Sequence, residues 1–362
     1  MFAPIIYALE SRDISLSVVV GCYAERIIQG KAVPMSWRVS ETANVDEALA
    51  IIEQICPSII LCGAGGNNKV EPLFVEAAKH MGIYCFSIAD NWAHARRRFM
   101  DIDTNGNVCY LLPDLIGVST AENIVELKSD PHFVDVSVVE VGMPHVEDTI
   151  GKFSALTREK IASIKLNQGL KADLPTFVFV PARVEREKWD EFYGSPAIGY
   201  SESTVFAHIV NILQEECKKQ NKMVQMVIKP HPADPITHYD QMVRSFASID
   251  SLDLVVVHNI EIPELLSISD CVIGMTSTVL LESAMCGRTT ISVQVGLHPD
   301  IDNNVSWAHG ISLVKSIGKL RKELGLVMAG KSRRKKEVLD HTYLQSTQTI
   351  VDIVAQKLVE TG

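Results

Sequence analysis

A chain of 362 residues, 47% hydrophobic and 22% charged, has an ordinary globular composition and more length than one core usually serves, which predicts two domains of about 150–200 residues each. With 34 basic against 44 acidic residues the net charge is −10, which excludes a general nucleic-acid binder, since such a protein needs a basic face to displace counterions. No apolar run reaches the roughly 18–20 residues of a spanning helix, and the run from Phe2 to Leu9 lacks the basic flank and small-residue cleavage site of a signal peptide.

The eight cysteines form no C-x-x-C pair and mostly sit inside apolar stretches. They read as buried thiols of a reducing compartment, so a cytoplasmic location is expected.

Residues Pro4–Glu10 carry a helical pattern where a doubly wound domain usually opens with a strand, and whether Phe2–Tyr7 supplies that strand stays open. Short Val/Ile-rich strands are then predicted at Leu16–Gly21, Ser58–Cys62, Ile83–Ile88, Leu115–Ser119 and Ser137–Val141, with helices at Val45–Ile55 and Pro72–Met81. The second half repeats the rhythm. Its strands are Thr176–Val180, Val224–Lys229, Leu254–Val257, Cys271–Ile273 and Thr289–Val293. Its helices are Ser203–Lys219, His238–Phe246, Ile262–Ile268, Thr278–Cys286 and Val314–Glu323. Strands that are apolar throughout imply sheets covered on both faces, hence parallel βαβ units. The expected fold is α/β, with two Rossmann-like doubly wound parallel-sheet domains at 1–150 and 170–330. A polar helical stretch, Thr149–Gly169, leads across the break, and a C-terminal helix within 331–362 crosses back.

Several motifs sit at predicted strand ends. Gly63-Ala-Gly65-Gly66-Asn-Asn68 follows a strand, but Asn68 stands where a dinucleotide fingerprint needs its last glycine, so nicotinamide chemistry is not expected. Gly325–Ser332 matches the letters of a P-loop without the preceding strand that would let its amides wrap a phosphate. Arg96-Arg97-Arg98 and Arg333-Arg334-Lys335-Lys336 are basic islands that read first as solvated helix faces. They leave open anion binding or peripheral contact with an anionic membrane surface.

Lys229-Pro230-His231-Pro232 ends a buried strand, so His231 lies at the ligand edge of the sheet, with prolines fixing the backbone on both sides. His231 can donate to a phosphate oxygen there and Lys229 can add charge. Thr276-Ser277-Thr278 opens a helix, where small hydroxyl residues either cap the helix or offer amides and hydroxyls to an anion. Glu282, one turn on, suits ribose hydroxyls better than phosphate. These residues are expected to converge on one cleft at the carboxyl edge of the second sheet. Asp90 and His94, just past the strand Ile83–Ile88, are candidates for a general base, with Asp90 as a turn cap the plainer alternative. Asp101-Ile-Asp103 has the letters of a metal site but falls in a predicted polar loop; no D-x-D ends a strand, so no metal is expected.

Taken together, Lys229–Pro232, Ile262-Pro-Glu-Leu-Leu-x-x-x-Asp270, Thr276–Thr278 with Glu282, Gly287-Arg288 and Gly142-Met-Pro144-His-Val-Glu147 resemble glycosyltransferases of the GT-B type. The likeness is nearest to the bacterial His-Pro-motif enzymes of surface polysaccharide and teichoic acid that use sialyl, Kdo or CDP-glycerol donors. It is good over 175–295 and vaguer over 15–148, and Thr289 stands where a proline is usual. The resemblance implies a nucleotide-sugar-dependent glycosyltransferase. The second domain would hold the donor, with His231, Lys229 and Thr276–Thr278 at its phosphate and Glu282 at its ribose, and the first domain would hold a glycan or lipid-linked acceptor. It implies no cofactor beyond the donor, and a site of action in the cytoplasm or at the periphery of the inner membrane. A sugar-nucleotide epimerase or hydrolase on the same fold, and a non-catalytic partner protein, remain open, as does the oligomeric state.

Overall fold

The structure is a computed structural model. It describes residues 2–21, 25, 35–40, 42–64, 70–89, 95–102, 108–182, 184, 198–231, 234, 236–246, 251–299, 310–331 and 344–361. The chain divides into two compact units: Met1–Asp148 with Asp340–Gly362, and Thr149–Leu339.

Unit 1 opens with a helix, α1 (Phe2–Glu10), and not with the strand left open at Phe2–Tyr7. Strands β1 (Val19–Gly21) and β2 (Trp37–Val39) form a separate parallel pair. Helix α2 (Val45–Ile55) begins where Asn44 Oδ1 accepts from the Glu47 amide at 3.0 Å, and Asp46 and Glu47 add favourable charge at the positive end of the helix dipole. Next come β3 (Ile59–Ala64), α3 (Val70–Met81), β4 (Tyr84–Ala89), β5 (Met100–Ile102), β6 (Val108–Tyr110), β7 (Leu115–Val118), α4 (Ala121–Lys128), β8 (Ser137–Glu140) and α5 (Pro144–Ser154). The main sheet has order β3-β4-β7-β8 and is parallel throughout. Asp101 lies in β5, one half of an antiparallel hairpin with β6, and not in the loop expected for it. The predicted helix Thr149–Gly169 is two helices. Thr157 breaks it, its hydroxyl accepting from the Lys160 amide at 3.3 Å to cap α6 (Arg158–Asn167).

Unit 2 continues with β9 (Thr176–Val180), α7 (Glu202–Gln220), β10 (Val224–Ile228), α8 (Ile236–Arg244), β11 (Leu252–Val256), α9 (Ile262–Ile268), β12 (Cys271–Gly274), α10 (Val279–Met285), β13 (Thr289–Val293), β14 (Ile311–Val314) and α11 (Ile317–Met328). Among the described residues its six strands are all parallel, in the order β11-β10-β9-β12-β13-β14. Strand β14 ends on Val314, the residue where a helix was expected to start. The helix waits for Ser316, whose hydroxyl accepts from the Lys319 amide at 3.3 Å.

The alternation within β9 shows why most positions of these strands are apolar on both faces. Phe177 and Phe179 enter a core with Phe206, Ile209 and Ile228, while Val178 and Val180 enter another with Val227, Leu265, Val272 and Leu280. Gln225 is buried in β10, and its amide is satisfied by Lys171 N–H and by the Lys171 carbonyl, each at 2.9 Å.

The chain returns to unit 1 as α12 (Ser346–Thr361), which packs on α1: Ile5 and Leu9 share a core with Phe86, Ile88, Ile350, Val351 and Val354. Gly325 lies inside α11, and Gly330, at φ +66°, ends it with Gly330 N–H bonded to Val327 O and Lys331 N–H to Leu326 O. The P-loop letters therefore spell a helix and its C-terminal cap. Among the described residues, no helix is long and apolar enough to cross a membrane.

Phe179 is fully buried against the Phe206 ring, 5.8 Å between centroids. Phe179→Ala is expected to destabilise unit 2 by about 3–5 kcal/mol, read as a lower urea midpoint at constant slope.

Candidate functional site

Parallel strands send every strand-to-helix loop of unit 2 to one edge. The register pairs Ile228 with Phe179, Ile273 with Phe179 and Gly274 with Val180, so β10, β9 and β12 end level with one another. The loops carrying Lys229–His231 and Met275–Thr278 thus leave the same edge on either side of β9, with their strands roughly 10 Å apart.

His231 is exposed, and a tight turn holds its backbone: its N–H donates to Asp234 Oδ2 at 3.3 Å, and its carbonyl accepts from the Asp234 amide at 2.8 Å. Lys229 is partly buried and points sideways, its Nζ donating to the His258 carbonyl at 2.7 Å in the loop after β11. Burial pulls its pKa below the ordinary lysine value, and the Glu261 carboxylate opposes the shift. The ammonium expected to add charge at a phosphate is thus engaged in joining two neighbouring loops.

At the second loop, Thr278 is in helical conformation and its hydroxyl makes no capping bond; Ser277 Oγ accepts from the Val279 amide at 3.3 Å instead. The expectation that the hydroxyls simply cap the helix therefore fails for Thr278 and holds weakly for Ser277. Among the described residues the amides of Thr276, Ser277 and Thr278 donate to no acceptor. Beneath this loop, the Met275 carbonyl accepts from Ser292 Oγ at 2.6 Å and Gln294 Nε2 at 3.3 Å. Neither residue was singled out in the sequence. The available signal was the polar alternation Thr290, Ser292, Gln294 in an otherwise apolar strand region.

Glu282 is 5% exposed, and its Oε1 accepts from the Thr149 hydroxyl at 2.6 Å. Arg288 donates to the Ser267 carbonyl at 3.2 Å and lies 4.9 Å over the Phe153 ring, a packing role for the Gly287-Arg288 pair.

In unit 1, Gly142 turns at φ +70° after β8, and the segment that follows holds the start of α12. Met143 N–H donates to Ser346 Oγ, and Glu147 Oε2 accepts from the Thr347 amide, each at 2.8 Å. His145 between them has a buried Nδ1 with no partner among the described residues, and burial pulls its pKa down to about 3. Arg96 pairs with Asp130 at 3.2 Å, and Arg98 donates to the Ala64 carbonyl at 3.2 Å, so two members of that basic island are tied to the fold. Asp90, His94, the glycine run from Gly65 and the Arg333–Lys336 island lie outside the described residues. Among the described residues no group of three metal-ligating side chains gathers.

No protein-family model and no curated protein matches the chain. Solved structures do. The UDP-GlcNAc 2-epimerase of Methanocaldococcus jannaschii has a TM-score of 0.67 at 15% identity, over 98% of this chain and 96% of that one. The Neisseria meningitidis UDP-GlcNAc 2-epimerase, solved bound to UDP-GlcNAc, gives 0.66 at 12%, over 99% and 96%. MurG of Acinetobacter baumannii gives 0.53 at 12%, over 98% and 94%. At these identities the likeness establishes the fold, a GT-B-like arrangement of parallel-sheet, Rossmann-like units.

His145 supplies a pH test. Its folded pKa, about 3, lies below the unfolded value near 6.5, so the unfolded chain binds the extra proton between them. The stability held by neutral His145 is complete above about pH 6.5 and is lost progressively as the pH falls toward 3. His145→Leu is expected to flatten the fall in melting temperature over that window.

Proposed function

We propose that the chain binds a nucleotide-activated sugar at the carboxyl edge of unit 2 and transfers the sugar to a glycan or lipid-linked acceptor in bacterial surface-glycan synthesis. The observation that carries the reading is the level exit of the His231 and Thr276–Thr278 loops from one sheet edge, on a fold shared with enzymes named for UDP-GlcNAc. In this reading the amides of Thr276, Ser277 and Thr278, which donate to no acceptor among the described residues, meet the donor phosphates together with His231. When the bond from the anomeric carbon to the phosphate oxygen breaks, negative charge grows on the leaving nucleotide, and these donors stabilise it. No obligatory metal and no further cofactor is invoked. Lys229 acts at one remove by fixing the loop after β11, and Glu282 faces the ribose while anchored by Thr149. Asp90 or His94 takes the acceptor proton as general base. The reaction would take place in the cytoplasm or at the membrane periphery.

A second reading, a nucleotide-sugar 2-epimerase or hydrolase, is favoured by the two epimerases among the structures above. The deciding experiment incubates the protein with UDP-, CDP- and CMP-sugars, with and without glycan acceptors, and analyses products by mass spectrometry and NMR. Transfer only with acceptor supports the glycosyltransferase, whereas an epimer or free sugar without acceptor supports the second reading. No turnover, and no thermal shift with any nucleotide, would leave a non-catalytic partner.

His231→Ala is expected to slow turnover about 10- to 150-fold, the contribution of one charge-assisted hydrogen bond of roughly 1.5–3 kcal/mol made mainly in the transition state, with little change in melting point. Glu282→Gln, which keeps an acceptor for Thr149, is expected to raise the donor KM with kcat nearly unchanged.

A further inference from the structure

Strand β13 and the residue after it carry three polar side chains on one side. Thr290, Ser292 and Gln294 are at most 2% exposed, while the alternate residues Ile291 and Val293 enter the apolar core. Polar groups removed from water are unfavourable unless each finds a partner. Thr290 finds the Ser283 hydroxyl at 2.7 Å, joining β13 to α10. The other two converge on a single atom: Ser292 Oγ and Gln294 Nε2 both donate to the Met275 carbonyl, and Gln294 Nε2 also donates to Ser292 Oγ at 3.0 Å.

A carbonyl gripped by two buried donors is fixed in direction. Among the described residues every peptide bond is trans, and in a trans peptide the C=O and the following N–H point opposite ways. The Met275 carbonyl faces the side chains of β13, so the Thr276 N–H faces away from them. Gly274 holds the other side: a Cβ there would lie 2.8 Å from the Val180 carbonyl, so the loop starts from a contact only glycine allows.

We propose that Ser292 and Gln294 are positioning residues that hold the Met275–Thr276 peptide with its N–H turned toward a phosphate oxygen of the nucleotide donor. The inference rests on the donor-site reading given above and adds to it the device that sets the loop before any ligand arrives. Preset donors need no reorganisation on binding, which is where their advantage over mobile ones lies. The polar stripe also gains a reason to exist beside β12, whose residues Cys271–Gly274 are all buried and carry no hydroxyl or amide side chain.

The test uses the full chain with UDP and CDP as probes in titration calorimetry, and uridine and cytidine as phosphate-free controls followed by ligand-detected NMR. Ser292→Ala and Gln294→Met each remove one donor. Each is expected to weaken diphosphate binding on the order of 10-fold, near the net contribution of one hydrogen bond, and the double variant to weaken it further. Nucleoside binding stays unchanged, and Ser292→Thr, which keeps the hydroxyl, retains the wild-type diphosphate affinity. Melting curves and near-ultraviolet circular dichroism establish that each variant is folded; should Ser292→Ala unfold, Gln294→Met and Ser292→Thr carry the test. Equal loss for nucleotide and nucleoside, or unchanged diphosphate affinity in folded variants, would overturn the assignment. Failure of the wild-type protein to bind either diphosphate would instead overturn the donor-site reading on which it rests.

Discussion

The arrangement of unit 2 follows from one constraint: a parallel sheet covered on both faces has no face left for water or ligand. Phe177 and Phe179 fill one side of β9 and Val178 and Val180 fill the other, so the strand offers chemistry only where it stops. Parallel connectivity then sends every strand-to-helix loop to one edge. His231, His258 and Thr276 follow strand ends at the same edge because β10, β11 and β12 belong to one parallel sheet. The apolar core and the candidate site are thus two consequences of the same packing.

The polar residues inside that core answer to the same constraint. Gln225 at one end of the sheet and Ser292 and Gln294 at the other are buried in positions where Val or Ile would pack. Each ends on a backbone group that the ladder leaves over, Lys171 in the first case and Met275 in the second. Arg288 and Lys229 behave alike, donating to the Ser267 and His258 carbonyls. Both cations tie separate segments of unit 2 together through a backbone carbonyl.

The sequence made the long apolar elements legible and the short mixed ones not. Helices Val45–Ile55 and Ile262–Ile268 and strands Thr176–Val180 and Thr289–Val293 stand where their patterns put them, because apolar periodicity and packing agree there. Strands β2 and β14 escaped notice. Trp37-Arg38-Val39 is too short to show a period, and Ile311–Val314 runs almost directly into a helix, so its last residue read as helical. At the site, the prolines around His231 marked a strand end from sequence alone. The direction of Lys229 could not be read, since it depends on a carbonyl 29 positions away. Nor could the roles of Ser292 and Gln294, since alternating polarity in a strand ordinarily means a face turned to water.

The pairing of α1 with α12 places the two ends of the described chain in the same unit, with unit 2 inserted between them. On the ribosome, unit 2 is translated as one uninterrupted segment and can collapse as soon as it emerges. Unit 1 cannot: Ile5, Leu9 and Phe86 wait for Ile350, Val351 and Val354, more than 260 residues after Phe86. At about 5–20 residues per second that is a delay of roughly 13–50 seconds, during which an apolar surface stands open to chaperones or to a neighbouring nascent chain. Moving the helix of residues 346–361 ahead of residue 2 by circular permutation would remove the delay while leaving the finished contacts intact.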